Sequence, residues 1–176
     1  ALIREREHGT VEHLLVMPVT PLEIMLSKVW ASALVILIAT SFCLYAIIQG
    51  VLGVPIAGSV PLFLLGTLLY LFFASALGIF LGTIARSMPQ FGLLFIITIL
   101  PMQLLSGGHS PLESQPDWLQ HIMWLIPSTH FTSFAQAILY RGAGLDIVWP
   151  NFLAVTVVGL SLLSLSALAF RRSIVA

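Results

Sequence analysis

Between Val29 and Ala85 the chain runs for 57 consecutive residues without an Asp, Glu, Lys or Arg. As one straight helix that run would be about 85 Å long at roughly 1.5 Å per residue, nearly three times the ~30 Å hydrocarbon core of a bilayer. It has to turn back. The only cluster of helix breakers within it is Gly53-Val54-Pro55 followed by Gly58-Ser59-Val60-Pro61, so the turn falls there and divides the run into two spans. Arg86 ends the second. An arginine at mid-bilayer costs at least about 2.5–3.5 kcal/mol, which makes Arg86-Ser87-Met88-Pro89 a tight turn at an interface.

Composition agrees: 59% of the 176 residues are hydrophobic and 8% charged, against roughly 45–50% and about 25% in soluble domains. Fourteen charges cannot solvate a globule of this size, which argues against a water-soluble enzyme, a nucleic-acid binder and a disordered linker. The net charge of zero removes any bulk attraction to an anionic partner, and no nucleic acid is expected. A lone cysteine, Cys43, excludes an internal disulfide and a multi-cysteine metal site. Ala1-Leu2-Ile3-Arg4-Glu5-Arg6-Glu7 has no basic segment followed by a short apolar one, so no signal peptide is expected and the chain reads as a fragment.

The expected fold is all-α, a polytopic membrane bundle with membrane helices over 21–51, 62–84, 88–105 and 147–170. Capping signals set several of these limits, because the first N–H groups of a helix need partners even in a membrane. Thr20-Pro21-Leu22-Glu23 is a capping box with Pro at the first helical position and Val19 and Ile24 as a staple; Ser87-Met88-Pro89-Gln90 is a second box, and Asp146 is placed to cap the fourth span. Pro101 is expected to kink the third span. Ala74, Gly78 and Gly82 form a small-residue ladder that permits close helix approach, within the chain or between copies. Arg4, Arg6, Lys28, Arg86, Arg171 and Arg172 fall on one side of this topology and only Arg141 on the other. The first side is therefore expected to be cytoplasmic, with both termini there.

Two segments are not spans. Residues 1–19 hold a short amphipathic helix from Thr10 to Met17, with Val11, Leu14 and Leu15 on one face, behind the sign-alternating Arg4-Glu5-Arg6-Glu7. It reads either as an interfacial helix with solvated charges or as a docking element for a cytoplasmic partner. Residues 106–146 form an outer loop with a short helix over Pro116–Ile126, then an amphipathic helix with the stripe Phe131, Phe134, Ala135, Ile138 and Leu139, ending at Arg141-Gly142. Neither helix is long enough to cross, so they lie at the interface or dip in and return, and Trp118 and Trp124 suit that depth.

Little in this loop suggests chemistry. His109, Glu113, Asp117, His121 and His130 share it, but no spacing matches a usual metal-ligand set. Phosphate-loop, dinucleotide and nucleophile-elbow motifs are missing, as is any acidic or basic residue at mid-span, which argues against ATP binding by this chain and against an ion-coupled carrier.

Two blocks of residues resemble one family. Glu5-Arg6-Glu7, Gly9-Thr10, Glu12, Leu14 and Pro18 are similar to the cytoplasmic segment of type-2 ATP-binding-cassette (ABC) permeases, the membrane subunits of ABC exporters. Ser106-Gly107, Pro111 and Glu113, Pro116, Trp118 and Leu119, and Pro127, His130 and Phe131 are similar to that family's outer loop, extended by Tyr140-Arg141-Gly142-Ala143-Gly144. The resemblance implies a permease in a bacterial inner membrane that dimerises with a second copy or paralogue and pairs with an ABC ATPase, where ATP and Mg would bind. A periplasmic adaptor is a further implied partner. No cofactor is expected in this chain and no catalytic role. Glu5, Glu7, Gly9, Thr10, Val11, Glu12, Leu14 and Leu15 would form the coupling segment that contacts the ATPase, and the loop helices would resemble the family's re-entrant helices. The first span, extracytoplasmic domain and second span of a full member have no counterpart here, so the chain reads as the C-terminal half. Two other classes compete: a non-transporting anchor or assembly factor, and a membrane-embedded enzyme using His109, Glu113 and His121.

Overall fold

The structure is a computed structural model that describes residues 21–108 and 111–175. Among these the secondary structure is wholly helical. Helix α1 covers Pro21–Phe42 and passes into a π-helical segment, Cys43–Val51. The other long helices are α2 (Val60–Ile84), α3 (Met88–Leu105) and α6 (Leu145–Val175). Between α3 and α6 lie a 3-10 turn (Leu112–Ser114), α4 (Asp117–Met123) and α5 (Pro127–Arg141). Four stretches are long and apolar enough to cross a membrane, Val29–Val51, Val60–Ile84, Met88–Leu105 and Leu145–Leu168.

The expected turns are where the breakers placed them, with corrections at four helix ends. The outer part of the first span is not plain α-helix. Its turns widen to i→i−5 bonding, with the Leu52 N–H donating to the Ile47 carbonyl at 2.9 Å, and this segment brings Leu44 and Ile48 onto the core. The second span begins at Val60, two residues before Leu62, because Pro61 lacks an N–H and fits the first turn rather than blocking it. Asp146 does not cap the fourth span. The Val148 N–H bonds the Gly144 carbonyl at 3.3 Å, so Gly144 is the half-in residue and Asp146 sits in the first turn, where the helix dipole favours a carboxylate. That helix also continues through Arg171 and Arg172, which end the apolar stretch but are good helix formers. The capping box proposed at Thr20 lies outside the described residues.

The second box behaves as a variant of the expected one. Ser87 Oγ accepts from the Gln90 N–H at 3.4 Å, while Gln90 Oε1 reaches back to the N–H of Arg86, one residue before the cap. Seven hydroxyls inside the spans are satisfied within their own helices. Ser41, Thr67, Thr83, Thr156, Ser161, Ser164 and Ser166 each donate to the carbonyl four residues earlier at 2.7–2.9 Å.

Helices α2 and α6 form the spine, with α5 filling its upper half. Leu44, Val60, Phe63, Phe134, Ile138, Val148 and Phe152 make one buried cluster at the end that carries the loop. Phe73, Leu77, Leu81 and Val155 make a second toward the Arg86 end, with Phe91, Leu94, Ile99 and Met102 of α3 against it. Lipid tails are as apolar as these side chains, so the clusters hold by close contact and ring geometry rather than by escape from water. The close approaches fall at other glycines than the Gly78-Gly82 ladder. A Cβ on Gly78 would meet nothing within 4 Å, and one on Gly82 only Phe91 Cε2 at 4.0 Å. A Cβ on Gly66 would stand 2.6 Å from Phe134 and 2.7 Å from Phe152, and one on Gly159 would stand 3.3 Å from the Phe73 Cα.

Candidate functional site: the re-entrant loop

Helix α5 descends into the bundle antiparallel to α2. Its C-terminal end lies at the top, where the Ala57 N–H donates to the Leu139 carbonyl at 3.0 Å and Gly58 packs on the Ile138 backbone. Lower down, Phe134 meets Phe152 edge-on at 5.0 Å beside Gly66. Deeper still, Phe131 stacks on Tyr70 with centroids 4.4 Å apart. Tyr70 is ten residues into α2, about 15 Å down at 1.5 Å per residue. The N-terminus of α5 therefore sits well below the loop end of the spans, and its start is fixed there by Pro127, buried at the first helical position.

A helix end and a loop at this depth must find hydrogen-bond partners inside the protein, since exposed backbone groups in hydrocarbon cost several kcal/mol each. The last carbonyls of α3 show how this is done. Met102 O accepts from Ser128 Oγ at 3.1 Å, Gln103 O from Ser106 Oγ at 2.9 Å, and Leu105 O from Gln115 Nε2 at 3.2 Å. Three loop side chains thus cap one helix C-terminus. The loop braces itself further through Gln120 Nε2 to the Gln115 carbonyl at 2.8 Å and Ser114 Oγ to the Pro111 carbonyl at 2.7 Å.

His130 pins this assembly to the last span. Its Nε2 donates to the Trp124 carbonyl at 2.8 Å, and its Nδ1 lies 2.8 Å from the Asn151 side-chain amide on α6. Asn151 can turn either its oxygen or its NH₂ toward Nδ1, so the bridge persists whether or not that nitrogen carries a proton. The Trp124 ring packs edge-on against His130, with centroids 5.6 Å apart. Beside this pin, Thr129 Oγ1 is buried without a hydrogen-bond partner, as is Gln115 Oε1.

The loop residues singled out from sequence take distinct places. Ser106 is buried as part of the α3 cap, and Gly107 has a φ of +89°, which a side chain rarely adopts. The carbonyls of Pro111 and Pro116 receive the first turns of the 3-10 segment and of α4. Pro127, His130 and Phe131 lie in the buried descent, and Leu119 is half-buried. Glu113 and Trp118 are exposed. Arg141-Gly142 ends α5 as expected, with Gly142 left-handed at φ +66°. The residues expected to form the coupling segment, Glu5, Glu7, Gly9, Thr10, Val11, Glu12, Leu14 and Leu15, and also His109, lie outside the described residues. Among the described residues no three of His, Cys, Asp and Glu gather closely enough to hold a metal. His121 turns Nδ1 to the Asp117 carbonyl at 2.6 Å, away from any paired carboxylate.

Sequence reasoning passed over Gln115 and Asn151. An amide two turns inside an apolar span was the available signal for Asn151.

A family model described as ABC-2 family transporter protein matches residues 1–168. The inner membrane transport permease YhhJ of Escherichia coli K12 is 59% identical over 174 residues, which cover 99% of this chain and 46% of that protein. The probable multidrug ABC transporter permease YbhR of the same strain is 32% identical over 174 residues, covering 99% and 47%. A probable multidrug ABC transporter permease of that strain, YbhS, is 29% identical over 170 residues, covering 95% and 42%. The chain spans about half the length of these relatives. No solved structure matches it.

Proposed function

The chain belongs to the ABC-2 transporter family as a multi-pass membrane permease, and we propose that it couples ATP hydrolysis in a partner ATPase to export of substrate across a bacterial inner membrane. The family match across residues 1–168 carries this reading. Supporting it, the spans hold no mid-membrane acidic or basic residue for ion coupling and the sequence has no phosphate-binding loop, which fits driving energy supplied by another subunit.

In this reading Glu5, Glu7, Gly9, Thr10, Val11, Glu12, Leu14 and Leu15 seat in a cleft of the ATPase, whose closure around ATP and Mg moves them as a rigid body. The shift enters the bundle through α1. Across the membrane α5, wedged between α2 and α6, shapes the exit, so a small tilt of either spine helix moves its buried N-terminus. A second permease copy or a paralogue completes the pathway. The preference of Lys and Arg for one side supports a cytoplasmic position for both ends of this segment. Two relatives are named as probable multidrug ABC transporter permeases, which supports drugs as the substrate class of this chain too.

The test reverses charge at Glu5, Glu7 and Glu12 in the full-length protein. Membrane insertion should be unchanged while the ATPase is lost from the detergent-purified complex. Undiminished co-purification would overturn the coupling assignment.

A further inference from the structure

Helix α4 is held more loosely than the other helices. Among the described residues every other α-helix packs along a neighbour, while α4 touches the rest only slightly. Two side chains fasten the segment around it: Gln115 Nε2 donates to the Leu105 carbonyl at 3.2 Å, and His130 Nε2 donates to the Trp124 carbonyl at 2.8 Å. Within itself the segment is braced by Gln120 Nε2 to the Gln115 carbonyl, Ser114 Oγ to the Pro111 carbonyl and the Gln115 N–H to the Leu112 carbonyl. A unit with few outside contacts and its own internal bonds opens at low cost. We propose that residues 111–125 are a lid, closed over the N-terminal end of α5 and opening as one piece toward the loop side, with the Thr129 hydroxyl beneath it keeping the closure weak.

Thr129 shows what the lid covers. At 3.6 residues per turn it lies about 160° round α5 from Phe131 and about 140° from Phe134, the rings that meet α2 and α6. It therefore faces away from the spine, yet it is 1% exposed. Its neighbours show that the cover is the excursion between α3 and α5. To one side, Thr132 Cγ2 would stand 3.8 Å from a Cβ on Gly108; to the other, His130 packs against the Trp124 ring. Met123, buried, is the apolar underside of the lid. Closure leaves Thr129 Oγ1 and Gln115 Oε1 buried without hydrogen-bond partners. Both gain bonds to water on opening, so the closed lid carries a cost that the open one does not. The lid is read from packing within this chain and stands apart from the transport reading; under that reading, its opening clears the outer end of the path past α5.

The test uses the full-length protein in lipid nanodiscs, in a background without other cysteines that includes Cys43→Ser. Met123→Cys, under the lid, should react with a charged, water-soluble methanethiosulfonate while the protein stays folded, and Val155→Cys, in the core, should not. Adding Thr129→Val should slow the Met123→Cys reaction about fivefold to a hundredfold, because the hydroxyl no longer favours opening. Adding His130→Ala should speed it about twofold to tenfold, because a fastening is lost. Amide exchange gives the same readout with no cysteine: Asp117–Met123 should exchange faster than the buried part of α6 and slow by the same factor in Thr129→Val. Met123→Cys as unreactive as Val155→Cys would mean that the segment is fixed in place, by this chain or by the rest of the permease, and would overturn the lid. A rate unchanged or raised by Thr129→Val would mean that the hydroxyl steadies the closed form, through a trapped water, and would overturn its role.

Discussion

Gly66 offers a quantitative test of how α5 is seated. A methyl at this position would stand 2.6 Å and 2.9 Å from the Cε2 and Cζ of Phe134, and 2.7 Å from Cε1 of Phe152. Both rings are buried and packed edge-on at 5.0 Å, so neither can swing away without breaking the other's contacts. Overpacking of this kind costs about 1–3 kcal/mol. Replacing glycine by alanine in a helix returns about 1 kcal/mol through backbone entropy. Gly66→Ala should therefore destabilise by up to about 2 kcal/mol, and at about 2–4 °C per kcal/mol the thermal midpoint should fall by several degrees. Gly78→Ala is the control, since its methyl meets nothing within 4 Å and should leave the midpoint unchanged or higher. The assay is thermal unfolding of the purified full-length protein in mild detergent. Adding Phe134→Leu to Gly66→Ala should recover part of the loss, seen as a non-additive double-mutant cycle. If Gly66→Ala melts with wild type, or Gly78→Ala is equally damaging, the α2–α5–α6 packing described here is wrong.

Other outcomes follow from the loop. Thr129→Val keeps the shape but removes an unpartnered buried hydroxyl, whose burial costs about 1–3 kcal/mol, so the variant should melt at or above wild type while Thr129→Ala melts below Thr129→Val. Gly142→Ala forces a side chain into a left-handed conformation 3.2 Å from the Ala57 carbonyl and should lower stability by about 1–2 kcal/mol, measured by the same melt. His130→Ala and Asn151→Ala should each speed proteolysis within residues 106–126, and their combination should add little, with a coupling of about 0.5–3 kcal/mol. Additive effects would mean the two side chains act separately.

The spans were legible because breakers and charges act locally. Nothing between Val29 and Ala85 except the Gly53–Pro61 cluster could make the turn, and Ser87 with Gln90 marks a helix start on four residues. The amphipathic stripe of α5 was equally readable, but not its destination. In a membrane an apolar face can meet lipid or another helix, and the same letters serve for both; the Phe131–Tyr70 and Phe134–Phe152 contacts decide it in space. The small-residue ladder shows the same limit, since within this chain the close approaches fall at Gly66 and Gly159 rather than at Gly78. His130 and Asn151 are 21 residues apart and belong to no local pattern. Widening of the helix at Cys43–Val51 leaves no mark in an apolar run, because π and α turns accept the same side chains.

The central claim is that this permease is driven by an ATPase seated on its coupling segment. It is tested most directly by a photo-crosslinking amino acid placed at Leu14, with Tyr140 at the opposite end of the bundle as the control site. In membranes containing the full-length protein and its ATPase, illumination should give a covalent adduct with the ATPase from Leu14 and none from Tyr140. Crosslinks from Leu14 only to lipid or to the permease itself would contradict the account.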